Sequence, residues 1–365
     1  MILGACTIGA LVACAATQIN AAPTGGWSPL RNTTTTPTPV RGEFSMVQYE
    51  GGILLYGGCN IAFDVFYNDL WKADFYVDKP DQYIWQEVKT TGVLPLPSCG
   101  HGTAVVGDEM YVFGGLTAGS KGNELHALDL RTKIWRRVGA KTNPVLAQRS
   151  LIQHSMVPLP QENGILVASG TTAEKDDDSA YQYNSVDASW SKVSRGFGGL
   201  ESVGGSSAIF INDTLLVLGG FVNNTASDSF MYLSKSNHQF IEITPHPSVE
   251  SDRLGPIAFQ GAIAVNNEFM VVYGGFSMAE INPYVWLYIW DRFPESGFWC
   301  RATSSEQATP PPHFAGGFVA IEQDLFAFGG RIHPRGHGEE LSFDMWKYSN
   351  ILKDYELCRR KTMLQ

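Results

Sequence analysis

The segment Arg331-Ile332-His333-Pro334-Arg335-Gly336-His337-Gly338-Glu339-Glu340 carries the densest grouping of ligating side chains in the chain. His333, His337 and Glu340 would make a metal site on a helix, because i, i+4 spacing brings two imidazoles to one ion. Pro334, Gly336 and Gly338 forbid that helix. The segment therefore reads as a solvated basic binding loop. Glu174, Asp176, Asp177 and Asp178 form an acidic counterpart. They lack the spaced ligands and bidentate glutamate of a calcium loop and read as a solvated acidic loop. No nucleophile–base pair, phosphate loop or zinc motif occurs elsewhere. The chemistry available is recognition, with no catalytic residue, metal or other cofactor expected.

Both loops are placed by a repeat. Six apolar runs end in a small-residue pair: ILLYGG, MYVFGG, ILVASG, LLVLGG, MVVYGG and LFAFGG, closing at Gly58, Gly115, Gly170, Gly220, Gly275 and Gly330. A period near 50 residues that holds several short strands marks a propeller blade. Each unit begins with an alternating strand a, such as GTAVVGDE or SAIFINDT, followed by the apolar strand b and a variable polar loop. Strand c carries an aromatic and a hydrophobe in alternation, as in DLWKADF and VWLYIWD. Strand d opens on a large aromatic: Trp85, Trp135, Trp190, Phe240, Trp299 and Tyr355. Period-two alternation turns one face of each strand to the neighbouring blade. The small pair belongs where strand b ends against crowded backbone, in a turn of positive φ. The expected fold is an all-β, six-bladed propeller of four-stranded antiparallel blades.

Hydrophobes, Gly-Gly, a polar loop, an aromatic strand and then Trp about ten residues on together resemble the kelch repeat. The resemblance covers nearly all of the chain behind its first segment and implies a kelch propeller over residues 41–358. Unit three departs from it with Ser169-Gly170, unit four with Phe240 and unit six with Tyr355. Two segments compete for the last strand. Tyr355 follows Met345 by the ten residues that separate Trp135 from Leu125, and is assigned to strand d of blade six. The Trp27 segment, WSPLRNTTTTPTPVRG, is then placed on its edge.

In such a ring the b–c loops and d–a connections emerge on one face, the expected working surface. The acidic third loop and the basic sixth loop stand on opposite blades, giving a bipolar channel entrance suited to a charged peptide or sugar. In kelch proteins, arginines and aromatics on this face make partner contacts. By that resemblance Arg149, Arg253, Arg331 and Arg335 are contact candidates, with Phe63, Phe66, Tyr67 and Tyr284 as apolar anchors. His333, His337, Asp176, Asp177 and Asp178 complete the candidate face. His101, His154 and His313 recur near the start of strand a and read as structural.

Residues 1–22 carry no charged side chain, and Ile2 to Ala16 is small or apolar. Ala13-Cys14-Ala15 and Ile19-Asn20-Ala21 have cleavage-site form, so the segment reads as an export signal. Leu11-Val12-Ala13-Cys14 has the alternative form of a lipoprotein box, which would anchor the chain to a membrane through lipidated Cys14. No other run is long and apolar enough to span a bilayer. Residues 23–40 form a Thr/Pro-rich segment and residues 359–365 a short basic tail. An exported chain would have four remaining cysteines, Cys59, Cys99, Cys300 and Cys358, an even number suited to an oxidising compartment. Cys59 and Cys99 are neighbours on one face, which suits either a bridge between them, leaving Cys300 with Cys358, or two buried thiols. Asn32, Asn212 and Asn223 begin N-x-S/T sequons in segments expected to be exposed.

The chain has 26 basic and 36 acidic residues, a net charge of −10. No Lys/Arg cluster concentrates the positive charge that nucleic acid requires. The reading is an exported, non-catalytic kelch propeller that binds a protein or glycan through its b–c/d–a face. Nothing in the sequence sets an oligomeric state. Kelch-like enzymes offer the alternative class. The Tyr-His dipeptide and accessory domains of galactose oxidase are missing. Glu340-x3-Asp344-x3-Tyr348 lacks the histidine of the nitrile-specifier iron motif. N-acetylneuraminate epimerases are similar in six-bladed form, but their acid/base pair maps onto no local motif here. A deep pocket in which a carboxylate and an arginine converge within about 4 Å would favour that enzyme class. A broad aromatic-lined face would favour a binder.

Overall fold

The computed structural model describes residues 25–34, 40–139, 151–171, 179–194, 204–222, 225–246, 253–277, 280–303, 309–332 and 340–363. Its strands form six antiparallel four-stranded blades. Blade one is Ser45–Tyr49, Gly52–Tyr56, Leu70–Phe75 and Gln82–Val88; blade two is Gly102–Val106, Glu109–Phe113, Leu125–Asp129 and Ile134–Val138. Blade three is Ser155–Leu159, Gly164–Ala168, Ala180–Asn184 and Ser189–Lys192; blade four is Ser207–Ile211, Thr214–Leu218, Phe230–Leu233 and Phe240–Glu242. Blade five is Ala258–Val265, Phe269–Phe276, Val285–Arg292 and Ser296–Arg301. Blade six takes Gly317–Ile321, Asp324–Phe328 and Met345–Ser349 from the end of the chain and Gly26–Asn32 from its beginning. Each innermost strand packs against the innermost strands of both neighbours, and the circle closes between blades six and one.

At the entry to each strand a, one backbone amide donates to the preceding blade. Gly100 bonds to Glu43 (2.9 Å), Gln153 to Gly100 (2.7 Å), Gly205 to Gln153 (2.8 Å) and Phe259 to Gly205 (2.7 Å). Ala315 bonds to Phe259 (3.0 Å) and Glu43 to Ala315 (3.1 Å), completing a closed cycle of hydrogen bonds about the axis. All six residues hold positive φ, between 52° and 73°.

The glycine pairs answer to the same crowding. A Cβ on Gly57 would lie 2.6 Å from the His101 ring of the next blade. Unit three keeps the left-handed turn with Ser169 at φ 59°. It can do so because the facing residue of blade four is Ser206, whose hydroxyl meets the Ser169 hydroxyl at 2.6 Å.

The strand-d aromatics wedge into the preceding blade. Trp135 packs on Tyr56 (5.4 Å between centroids), Trp190 on Phe113 (5.5 Å), Trp299 on Phe230 (5.9 Å) and Trp85 on Phe328 (5.2 Å). Trp27 does the same for blade six, 4.7 Å from Tyr273 of blade five. The assignment of Tyr355 to this place is therefore corrected. Gly26–Asn32 is the outer strand, paired with Met345–Ser349 from Gly26↔Ser349 to Leu30↔Met345. Residues 351–363 form a helix instead. Its buried side Ile351, Asp354 and Cys358, with Tyr355 stacked on Phe269 at 4.3 Å, recurs at helical spacing.

The two ends of the chain meet at Asp354, which is 1 % exposed. Its carboxylate accepts from the Tyr348 hydroxyl (2.8 Å), the Thr303 amide (3.2 Å) and the Gly25 amide. Burial nonetheless lifts the carboxyl above its usual range. A Cys300–Cys358 disulfide ties the helix to strand d of blade five. Cys59 and Cys99 are two buried thiols, the second of the two readings of that pair, and no bridge joins them. Each is held by its own blade, Cys59 bridged to Gly42 and Phe66 and Cys99 paired with Leu116, and the two thiols meet through a hydrogen bond without a disulfide. Asn32 also departs from its expected exposed loop. It is half-buried in the outer strand of blade six, beside Tyr83 of blade one.

Trp27→Ala should destabilise the ring by about 3–5 kcal/mol, the cost of a buried Trp. Tyr355→Ala, which removes a half-buried ring outside the wedge series, should cost less. Chemical denaturation of both variants checks the order, and an equal or larger loss at Tyr355 would contradict closure by the N-terminal strand.

Candidate protein-binding face

The upper face is floored by six short backbone bridges, one per blade. The residue after each glycine pair lies opposite a residue just ahead of strand a. The pairs are Cys59 with Gly42, Leu116 with Cys99, Thr171 with Ile152, Phe221 with Gly204, Phe276 with Ala258 and Arg331 with Phe314. The floor is therefore built alike in every blade but differs in side chains.

Its aromatic half spans blades four to six. Phe259 lies 5.7 Å from Phe221 and 6.3 Å from Phe314, and Phe276 lies 5.3 Å from Phe314. Phe221, Phe259 and Phe276 are each partly exposed. Phe259 carries φ 56°, rare for a bulky residue and costing on the order of 1–3 kcal/mol. The sequence reading missed this cluster, although Phe follows the glycine pair directly in units four and five.

The other half is charged and more tightly packed than expected. Arg41 donates to both carboxylate oxygens of Asp69 (2.5 and 2.9 Å) and to the Gly57 carbonyl (2.9 Å), and stacks on Tyr67 at 4.1 Å. Burial works against the Asp69 charge, yet the bonds from Arg41 and Trp71 hold its carboxyl below the usual range. Arg331 is likewise buried, 4.6 Å over the Phe63 ring and 3.6 Å from the Glu43 carboxylate. It braces the floor, which corrects its expected role as an exposed contact.

Arg253 is exposed and bonds Asp228 at 2.6 Å. Tyr284 is exposed beneath Arg301, 4.6 Å away. Phe63 is exposed, whereas Phe66 and Tyr67 are half-buried. Arg149, His333, Arg335, His337, Asp176, Asp177, Asp178 and Asn223 lie outside the described residues, and with them the bipolar entrance. Asn212 is on the opposite face, at an a–b hairpin, donating to the Asn267 carbonyl at 3.0 Å. Among the described residues no three His, Cys, Asp or Glu side chains converge as metal ligands.

Below the floor the channel narrows where Met46, Met156 and Phe318 reach inward. Each lies across a glycine of the neighbouring inner strand, Gly317, Gly102 and Gly261 respectively. Where the facing residue is small (Thr103, Ala208 or Ala262), that place is a serine instead. Ser45, Ser155 and Ser207 donate to the next blade's carbonyls at 3.2, 2.7 and 2.6 Å. This waist separates an upper chamber of about 260 Å³ from a lower one of about 810 Å³ that opens at the a–b hairpins.

Residues 21–220 match the model of the KLHDC2/KLHL20/DRC7 Kelch-repeats domain. The chain belongs to the kelch-repeat family. Acyl-CoA-binding domain-containing protein 4 of Arabidopsis thaliana is 27% identical over 276 residues, 72% of this chain and 39% of that protein. Kelch domain-containing protein 2 of Bos taurus is 25% identical over 154 residues, 42% of this chain and 37% of that protein. Host cell factor of Drosophila melanogaster is 31% identical over 121 residues, 29% of this chain and 7% of that protein. The chain thus spans well under half the length of these relatives. Kelch domains generally mediate protein–protein interactions.

His101 and His154 of this kelch domain are fully packed between blades. Burial drives the imidazole of His101 down to about 4 and that of His154 to about 3, and burial does the same for His313, to about 4. An unfolded chain takes up these protons near the ordinary pKa of about 6.5, whereas the native ring refuses them until near pH 4. Their contribution is complete above pH 6.5 and is lost as pH falls from there towards 4. Gln260 occupies the equivalent place in blade five, donating to the Leu218 carbonyl at 2.8 Å. Thermal melts from pH 7 to pH 4.5 should therefore show a steep loss of Tm, made shallower by His101→Gln/His154→Gln. An unchanged slope would exclude these histidines as the cause.

Proposed function

We propose that this chain is an exported, non-catalytic kelch propeller that captures a protein partner on its b–c/d–a face. One observation carries the reading. The floor gathers Phe221, Phe259, Phe276 and Phe314 on one side, while the equivalent ring position of blades two and four is glycine. Aromatic rings part-exposed beside well-packed neighbours are the usual anchors of a protein interface. Arg253 and Tyr284, exposed on the segments that lead into strands a and c of blade five, are the proposed rim contacts. A glycan is the second ligand class, since the same rings could stack on sugar faces.

Export is supported by the uncharged, small and apolar residues 1–22 and by the Cys300–Cys358 disulfide. In that setting Asn212 and Asn223 are proposed glycan acceptors. Asn32 is included as one modified before the strand folds. Lipidation at Cys14 is the alternative fate of the leader.

An epimerase-like enzyme is the second reading, because Glu43 and Arg331 do converge at 3.6 Å beside the upper chamber. Both side chains are largely buried and Arg331 is covered by Phe63, an arrangement better suited to bracing the floor than to acid–base work on a sugar. Direct assay with N-acetylneuraminate tests that reading.

Arg253→Glu with Tyr284→Ala should reduce crosslinked capture of secreted partners about tenfold, with Tm unchanged because both residues are exposed. Unchanged capture would remove the upper face as the site. Intact-mass analysis of the exported product should show loss of about 20 leading residues; a full-length product would refute export by this leader.

A further inference from the structure

Five of the exposed large hydrophobics among the described residues stand on two joined segments where blade one meets blade two. Ile61, Phe63 and Val65 stand on the b–c loop of blade one, and Leu94 and Leu96 on the connection entering blade two, each between 36% and 64% exposed. The two segments are joined, since the Asn68 amide donates to the Pro95 carbonyl at 2.9 Å and the Ser98 amide to the Tyr67 carbonyl at 3.0 Å. Loop geometry is fixed from within. Asn60 donates to Asp64 at 2.6 Å and accepts from the Asp64 and Val65 amides at 3.2 Å. The apolar side chains are therefore held outward by a built turn. Asp64 is the one charged residue of the sequence Asn60–Phe66, and residues 93–97 have none.

We propose that this flank docks a short segment of a partner protein through that segment's apolar face. The inference rests on the protein-binding reading and names the partner's chemistry. Size decides against a second copy. Five partly exposed side chains offer on the order of 400 Å², within the range of functional patches on monomers. A stable dimer buries roughly 800 Å² on each side. Charge decides against an anionic lipid surface, because the patch offers no basic residue and the chain carries −10. The patch is also continuous with the upper face through Phe63, whose ring lies against Arg331. A partner anchored on the floor could extend over blade one without leaving protein surface.

The test is selection of a phage-displayed library of random 16-residue peptides on the full chain, followed by titration of one synthesised winner. The expected winners carry apolar residues at i, i+3 or i+4 spacing. Their affinity should fall at least tenfold with Val65→Asp and with Leu96→Asp, and stay unchanged with Arg253→Glu. Both positions are exposed, and matching melting curves would confirm folding. Winners that respond to Arg253→Glu but not to Val65→Asp or Leu96→Asp would leave the upper-face reading standing and overturn this one. Failure to enrich any apolar peptide would overturn it too. So would a dimer in sedimentation, or flotation with phosphatidylcholine vesicles, that Val65→Asp abolishes.

Discussion

The cycle of six amide–carbonyl bonds around the axis is the constraint from which the rest follows. Each blade's first strand must enter with its amide aimed at the blade before it, which forces positive φ at Glu43, Gly100, Gln153, Gly205, Phe259 and Ala315. A left-handed residue other than glycine costs roughly 1–2 kcal/mol, so four of the six accept strain to complete the ring. The chain makes one strand a per repeat, and the bonds close only when the sixth has formed. That couples local strand formation to global closure. It also brings the inner strands so near that glycine or serine must stand opposite each inward side chain, as Gly102 does opposite Met156 and Ser155 opposite Ala208.

Closure at the outer edge uses different chemistry. The N-terminal strand supplies Trp27 to the last wedge, so blade six exists only when the two ends of the chain meet. Asp354 gathers amides and a hydroxyl from the N-terminal strand, blade five and blade six, and the Cys300–Cys358 bond holds the helix that presents it. A buried carboxylate is expensive to desolvate and is retained here with hydrogen bonds satisfying its oxygens. Removing any of those partners would leave a buried carboxyl oxygen short of a donor.

Much of this architecture was legible in the residues. The glycine pairs, their period and the strand-d aromatics stated blade number and strand order, because packing between blades imposes them locally and repeatedly. The last strand was not legible from spacing alone. Tyr355 stands at the distance that marks strand d in other units, and its competing helical pattern of Ile351, Asp354, Tyr355 and Cys358 includes an acid, which an apolar count discards. Arg331 was misread for a related reason. The residue after the glycine pair keeps part of its surface open in blades two to five. In blade six the Phe63 loop of the next blade folds over it, and no property of Arg331 itself announces that cover. Cys59 and Cys99 show that proximity of loops does not set disulfide geometry, since each cysteine is held in the backbone register of its own blade.

A ring of near-equivalent blades also separates structure from function by comparison within one chain. What every blade repeats is required for closure, and what one blade alone carries needs another cause. By that measure His101 and His154 belong to the frame, because Phe44, Ser206 and Gln260 take the same place in blades one, four and five. Phe259 does not. Blades two and four put glycine at its position, which satisfies the backbone at lower strain, and the strained residues of blades one, three and six are not aromatic. A phenylalanine there is an expense the fold does not ask for. Its ring is part-exposed beside Phe221 and close to Phe314, so the strain is best understood as the cost of presenting an aromatic surface at the channel mouth. The exposed turn of blade one is the second such departure. Its inner bonds from Asn60 fix a loop whose apolar side chains face water, which stability alone would not favour. The two departures lie on the same face, in opposite halves of the ring, and a ligand long enough to touch both would read features that no single blade contains.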